Sequence, residues 1–435
     1  LISRVDGCEK AILVGLKPKS SREQNQSNGL EELASLTESA GACIAGTITQ
    51  DLKIIDPAFF IGRGKVAELA ALIKTTDAQI VIFDDDLYPA QQRNLEDTLG
   101  IRVIDRTGLI LDIFAQRARS REGKLQVELA QLSYLLPRLR GKGVVLSRLG
   151  GGIGTRGPGE TKLEMDRRKI KARMARLKED LEQVKKVRTI QRRTRRHHRQ
   201  FLAALIGYTN AGKSTLLNTL SHAHVAVEDR LFSTLDTTIR KLPGISQLLL
   251  SDTVGFIRKL PHQLIAAFKA TLEEIREAAV LLHVIDISSP RIAEQVESVN
   301  AVLREIGIHE KDTLYVLNKI DRLTEPGLIG AWQRRLAPAV AVSAKTGAGI
   351  PELYAQLQRW VLRQMPAVCF QLPLSEGKII DQIYQHGIVV HTELRGPTVV
   401  LEAHIDEPFA RSLKQFSIPH FKKTASPENI AHAHR

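Results

Sequence analysis

The chain has 435 residues, too many for one ordinary domain, and its 43% apolar and 25% charged residues are typical of folded globular protein. No run approaches the roughly 18 uninterrupted apolar residues of a membrane span, and Leu1 to Lys10 lacks the apolar centre of a signal peptide. The formal net charge of +14 is concentrated: residues 156–200 carry 17 Lys or Arg against 6 Asp or Glu, a local excess of +11. A positive stripe that dense favours a polyanion, most simply nucleic acid, because each neutralised phosphate releases counterions. Cys8, Cys43 and Cys369 lie far apart and fit no zinc or disulfide spacing. They read as reduced thiols of a cytoplasmic protein, and a monomer is expected.

From about Ala11 to Asp112 the sequence alternates short apolar runs with helical ones. Ile80 to Phe83 predicts a buried strand ended by Asp84, Asp85 and Asp86, Ala90 to Leu99 a helix, and Ile101 to Ile104 a strand closing on Asp105. This rhythm predicts a small α/β domain with parallel pairing over residues 1–120. Adjacent carboxylates on an extended segment point different ways, so the three aspartates read as a strand-end turn rather than a metal site.

Residues 121–200 read as a basic helical hairpin. Leu125, Leu129, Leu132, Leu136 and Leu139 recur at helical spacing, with Pro137 positioned to end or kink the last turn. A second seam runs through Leu163, Ile170, Met174, Leu177, Leu181 and Val184. Burying one seam against the other pushes the basic side chains outward. The connection from Gly141 to Gly159 is rich in glycine and holds Arg148 and Arg156. Such a loop is expected to order on RNA, where glycines let backbone approach phosphate and arginines anchor it. Arg192, Arg193, Arg195 and Arg196, near the end of the second helix, are further RNA-binding candidates.

At Phe201 the composition changes, and residues 201–365 repeat a buried strand followed by a helix, the pattern of a doubly wound sheet. Gly207, Tyr208, Thr209, Asn210, Ala211, Gly212, Lys213 and Ser214 complete a P-loop between the apolar strand Leu202 to Ile206 and a helical run. There, backbone N–H groups converge on phosphate at a helix N-terminus. Lys213 would neutralise the β- and γ-phosphates and Ser214 would ligate Mg²⁺. Asn318, Lys319, Ile320 and Asp321 follow the strand Leu314 to Leu317 and choose the base. The Asp321 carboxylate can accept from N1–H and the 2-amino group of guanine, and adenine has no such pair of donors. Ser343, Ala344 and Lys345, after the strand Ala339 to Val342, supply a second wall to the base. Asp252, Thr253, Val254 and Gly255 end another strand; Asp252 would hold a Mg²⁺-bound water and the Gly255 N–H would meet the γ-phosphate. Lys213 and Gly255 are thus the expected catalytic groups. Between these motifs lie Phe232, Ser233, Thr234, Leu235 and Asp236, and spacing allows Thr234, Thr237 or Thr238 to complete Mg²⁺ coordination. Residues 366–435 read β-α-β-β-α, a small α+β domain without a recognisable catalytic set.

Together the motifs resemble the translation-factor-related GTPases. Phe232 to Asp236 is similar to the Phe-x-Thr-Leu-Asp switch of the Obg and HflX group, which points to Thr234 for the metal. Asp105-Arg106-Thr107-Gly108, Gln126 to Leu132 and Arg156-Gly157-Pro158-Gly159-Glu160-Thr161 resemble the HflX signature, and the likeness spans roughly Ile44 to Met365. It implies a GTPase that binds the large ribosomal subunit and its rRNA and splits or rescues stalled ribosomes. The alternative is a GTP-dependent assembly factor that binds rRNA without splitting. One position departs from the Ras pattern. Phe256 follows Gly255 where Ras-type proteins carry the glutamine that orients the attacking water. A phenyl ring cannot hydrogen-bond water, so slow hydrolysis by the chain alone and stimulation by the ribosome are expected.

Overall fold

The structure is a computed structural model that describes residues 8–18, 28–52, 55–139, 158–197, 200–222, 231–232, 238–258, 269–308, 311–323, 325, 327–405 and 407–418. The first domain is built on β1 (Glu9–Pro18), β2 (Ala42–Leu52), β3 (Ile80–Phe83) and β4 (Arg102–Asp105), parallel throughout in the order β2-β1-β3-β4. Alternation along the strands divides its apolar residues between two faces. Ala11, Leu13, Ile80, Ile82 and Ile104 pack with α1 (Asn28–Ser39) and α4 (Arg106–Arg117). Ile12, Val14, Val81, Phe83 and Val103 pack with α2 (Arg63–Thr76) and α3 (Pro89–Leu99). The chain bends after Phe83, as expected for a strand-end turn, but Asp84 and Asp86 are engaged: they accept from Arg106 and Thr107.

Contrary to the expectation of reduced thiols, two of the three cysteines are paired. Cys8 and Cys43 form a disulfide across 35 residues, and Cys369 remains a buried free thiol. Parallel pairing of β1 with β2 sets Lys10 opposite Cys43 and so brings Cys8 within reach. No local spacing could have indicated a pairing created by strand register.

Among the described residues two helices follow, α5 (Arg121–Arg138) and α6 (Pro158–His197), and they pack on each other. Arg173 grips Glu128 through two hydrogen bonds of 2.7 and 2.8 Å, and Leu177 is fully buried. The predicted leucine stripe of α5 is only half-buried. Its most buried face is instead Gln126, Val127, Ala130 and Tyr134, of which Val127, Ala130 and Tyr134 join the core shared with α4. Pro137 lies within the last turn, one residue before the helix ends. Arg148 and Arg156 lie outside the described residues; Arg192, Arg193, Arg195 and Arg196 lie on the α6 backbone.

The third unit is a doubly wound sheet of β5 (Phe201–Gly207), β6 (Thr238–Leu242), β7 (Ile245–Asp252), β8 (Val280–Asp286), β9 (Thr313–Asn318) and β10 (Ala339–Ala341). Among the described residues its order is β10-β9-β8-β5-β7-β6, with β6 antiparallel to β7 and the other pairings parallel. Helices α7 (Lys213–Ser221), α8 (Lys269–Glu277), α9 (Ile292–Glu305), α10 (Gly327–Arg335) and α11 (Ile350–Gln364) accompany it. The carboxyl ends of β5, β7 and β9 carry the predicted motifs, where such sheets bind ligands. The last unit, β11 (Ala367–Pro373), α12 (Gly377–His386), β12 (Ile388–Arg395), β13 (Thr398–His404) and α13 (Glu407–Ser412), follows the predicted order. It adds a short strand β14 (Ser417–Ile418), giving an antiparallel sheet β12-β13-β11-β14.

The residues that resembled a family signature turn out to build a buried polar knot. Asp105 Oδ1 accepts from the Gly108 N–H at 2.9 Å, capping α4, and from the Tyr134 hydroxyl at 2.8 Å. Its Oδ2 accepts from Arg138 at 2.8 Å and from the Leu87 N–H at 3.2 Å. Burial raises the Asp105 pKa, and the Arg138 charge opposes that rise. Removing one donor leaves a buried acceptor short of a partner. Tyr134→Phe is therefore expected to destabilise the chain by about 1–3 kcal/mol, read as a lower urea midpoint. A change below about 0.5 kcal/mol, the usual range for a neutral surface substitution, would mean that Asp105 needs no help from Tyr134.

Candidate nucleotide-binding site

The P-loop leaves β5 at Gly207 and enters α7 at Lys213, and glycine is required at both bends. Gly207 has φ +148°, and a Cβ there would lie 2.2 Å from the Val284 carbonyl oxygen. Gly212 has φ +92°, and its Cβ would lie 2.3 Å from Asn318 Nδ2. Neither space admits a side chain. Lys213 Nζ donates to the carbonyl oxygens of Gly207 at 3.2 Å and Tyr208 at 2.9 Å. Burial lowers its pKa to about 8, against the opposing pull of Asp252. Phosphate oxygens beside that ammonium would raise its pKa again.

Beneath the loop, Ser214 Oγ donates to Asp252 Oδ2 at 2.7 Å, and both residues are buried. A hydroxyl and a carboxylate meeting at a phosphate-binding helix terminus are hard oxygen donors of the kind Mg²⁺ takes, so the residues present fit that ion. Thr234, the other predicted ligand, lies outside the described residues with Ser233, Leu235 and Asp236. Thr253 Oγ1 is spent on the Leu205 carbonyl at 2.6 Å, and Val254 borders the core that includes Phe114.

Asn318 ties the base-side loops to the P-loop. Its Nδ2 donates to the Ala211 carbonyl at 2.9 Å, and its Oδ1 accepts from the Ala344 N–H at 3.0 Å. Thr219 of α7 reaches the Ala344 carbonyl at 2.7 Å, closing the same frame. Lys319 stands in a left-handed conformation at φ +66° and pairs with Asp286 at 2.6 Å. Ser343 donates to Asp321 Oδ1 at 2.5 Å, which lowers the Asp321 pKa and keeps its exposed carboxylate ionised. Ile320 and Lys345 sit on the turns that carry these two residues. Thus three loops that are distant in sequence are braced into one rim with a carboxylate presented to solvent.

Phe256 is not where a water-positioning residue would be. Its ring is 2% exposed and packs with Ala204, Ile206, Ile275 and Leu281. Its N–H donates to the Gly207 carbonyl at 3.0 Å and its carbonyl accepts from the Thr209 N–H at 2.8 Å. This pairing clamps Gly255 against the P-loop. A Cβ on Gly255 would lie 2.8 Å from Thr209 Cγ2 and 3.1 Å from Lys213 Nζ, so only glycine fits.

Two site residues have roles that the sequence did not reveal. Phe232, grouped with the nucleotide-binding residues from its motif, is 2% exposed, with its ring edge-on to Phe114 of α4 at 4.7 Å. Its ring belongs to the first domain's core, leaving only its backbone for a nucleotide. The Tyr208 hydroxyl donates to Glu32 of α1 at 2.8 Å and accepts from the Arg258 N–H at 3.0 Å. An aromatic residue beside a P-loop glycine carries no local sign of such a partner.

Asp321→Asn replaces one acceptor with a donor where guanine offers two donors. It is expected to weaken GTP binding about tenfold or more and to admit xanthosine triphosphate, measured by competition against a fluorescent nucleotide. A variant that binds GTP as the parent does and rejects xanthine would remove Asp321 from base recognition.

Comparison with known proteins bears on all three large units. Residues 27–115 match a family profile described as GTP-binding GTPase N-terminal, residues 117–195 its Middle Region, and residues 202–319 a 50S ribosome-binding GTPase profile. The GTPase HflX of Caldanaerobacter subterraneus subsp. tengcongensis is 45% identical over 412 residues, 94% of each chain. That of Escherichia coli K12 is 47% identical over 389 residues, 88% of this chain and 90% of the other. Among solved structures, a GTP-binding protein from Sulfolobus solfataricus in complex with GDP is 26% identical, covering 81% of this chain and 98% of its own, with a TM-score of 0.43. Identity at this level over nearly the whole length, together with the P-loop and its companion motifs, establishes that the chain is a GTPase of the HflX family.

Proposed function

We propose that this GTPase binds GTP with Mg²⁺ at the P-loop rim, engages the large ribosomal subunit through its basic hairpin, and splits or rescues stalled ribosomes in the cytoplasm. The observation that carries the reading is one of placement. A +11 charge excess lies over residues 156–200, largely on the 40-residue helix α6, which leads directly into the P-loop strand β5. The match of residues 202–319 to a profile described as 50S ribosome-binding GTPase supports the same partner. Among the described residues no helix is long and apolar enough to cross a membrane. Arg192, Arg193, Arg195 and Arg196, with Arg148 and Arg156 of the glycine-rich connection, are the proposed rRNA contacts.

In the nucleotide site, Lys213 holds its ammonium over the loop carbonyls, ready to neutralise the β- and γ-phosphates. Ser214, and by its motif Thr234, would hold Mg²⁺, with Asp252 reaching it through water. When bound, the ion offsets phosphate charge and orients the terminal phosphoryl group. The Gly255 N–H meets the γ-phosphate, and Asp321 reads the guanine edge while Ala344 and Lys345 wall the base. The Phe256 ring is committed to the core, so the group that orders the attacking water comes from elsewhere, and the ribosome is the proposed source.

Sedimentation of ribosomes with this protein and a non-hydrolysable GTP tests the reading. Release of free subunits is the expected result. Binding to large subunits without release would favour the assembly-factor alternative, and no comigration would overturn both. Replacing Arg192, Arg193, Arg195 and Arg196 with Gln is expected to weaken that binding. The log–log salt slope should fall by about 0.7 to 0.9 for each lost phosphate contact. An unchanged slope would assign the charge to solubility.

A further inference from the structure

The contact between the first domain and the P-loop contains more chemistry than docking requires. Arg106 is 1% exposed and donates to Asp84 at 2.7 Å, to Glu32 Oε1 at 2.7 Å and to the Arg258 carbonyl at 3.2 Å. The same Glu32 oxygen accepts the Tyr208 hydroxyl at 2.8 Å, and that hydroxyl in turn accepts the Arg258 N–H at 3.0 Å. Both backbone polar groups of Arg258 are therefore bound, the N–H by a P-loop tyrosine and the carbonyl by an arginine of the first domain. Two residues earlier, both backbone groups of Phe256 are bound to the P-loop itself. Between them, Ile257 is 1% exposed in the first domain's core. Residues 256–258 are thus fixed at four backbone points and two side chains, and Gly255 stands at the end of that fixed run.

We propose that Glu32 and Arg106 are positioning residues for the γ-phosphate end of the nucleotide site, acting through Tyr208 to hold Gly255 where its N–H meets a triphosphate. The chemistry is selective. Only a triphosphate would use the Gly255 N–H, whereas the P-loop amides and the base rim serve GDP and GTP alike. Holding residues 256–258 in place reduces the ordering cost of γ-phosphate binding without touching diphosphate affinity. Burial keeps the Tyr208 hydroxyl protonated, so it can donate to Glu32 while accepting from Arg258. The shared Glu32 oxygen is what makes Tyr208 and Arg106 one unit rather than two contacts. The inference does not depend on the ribosomal partner, since it concerns nucleotide discrimination by the chain alone.

The test is equilibrium binding of fluorescent GDP and of fluorescent GMPPNP, a non-hydrolysable triphosphate, to the full chain. Tyr208→Phe removes one oxygen from the network, and Glu32→Ala removes the shared acceptor. Each is expected to weaken GMPPNP about fivefold or more relative to GDP, the usual floor for coupled sites, and Glu32→Ala, which lies outside the nucleotide motifs, to leave GDP within about twofold. The double variant should be no worse than the stronger single one, because both cut the same path. If Glu32→Ala does not fold, Tyr208→Phe carries the test alone, since it leaves the first domain unaltered. Equal weakening of both nucleotides, no change, tighter triphosphate binding, or singles that multiply in the double variant would each overturn the proposal. A contact that served only domain docking would lower the melting temperature and move both affinities together.

Discussion

The backbone pairing of Phe256 with Gly207 and Thr209 is the contact on which the rest of the molecule's working parts depend. It extends β-type pairing beyond the sheet, so that successive side chains fall on opposite sides. Phe256 enters the P-loop domain's core, Ile257 enters the first domain's core, and the Arg258 backbone closes the junction against Tyr208 and Arg106. One three-residue run thus joins two cores and sets Gly255 against Lys213. It also excludes the Ras solution to hydrolysis, since the side chain that would orient water is used as a core residue.

The junction is built from buried charge, which is costly unless every charge is matched. Arg106 has two carboxylates, Asp84 and Glu32, within 2.7 Å, and Asp105 next to it in sequence has Arg138 at 2.8 Å. The Asp105-Arg106-Thr107-Gly108 run therefore serves two separate structural tasks. Asp105 locks α5 onto the first domain through Tyr134 and Arg138. Arg106, pointing to other partners, reaches the switch run after Gly255. A hydrophobic interface could supply docking energy, but it could not bind the N–H and carbonyl of Arg258.

The nucleotide motifs were legible because each is a short run at the carboxyl end of its own apolar strand, so local order was enough to place Lys213, Asp252, Asn318 and Ser343 together. The order of the units and the small α+β appendage were legible from periodicity for the same reason, but the antiparallel pairing of that appendage was not. What escaped the sequence depends on pairing between distant segments. Cys8 reaches Cys43 only through strand register, Phe232 reaches Phe114 across more than a hundred residues, and Tyr208 meets Glu32 from another domain. The leucine stripe of α5 misled in a milder way. The face of Val127, Ala130 and Tyr134 is the more fully buried one, in the core shared with α4. Which face of a helix is buried most deeply depends on the neighbouring surface, here α4, and that is not written in the helix's own periodicity.

With the Phe256 ring in the core, the proposed mechanism requires that the group ordering the attacking water come from outside the chain. Single-turnover hydrolysis of GTP, with and without purified large ribosomal subunits, addresses it most directly. Slow turnover by the isolated protein and a large acceleration by the subunit are expected, in the sense that a partner's arginine accelerates Ras by about 10⁵. Equal rates in the two conditions would contradict that requirement and place the water-ordering group within this chain.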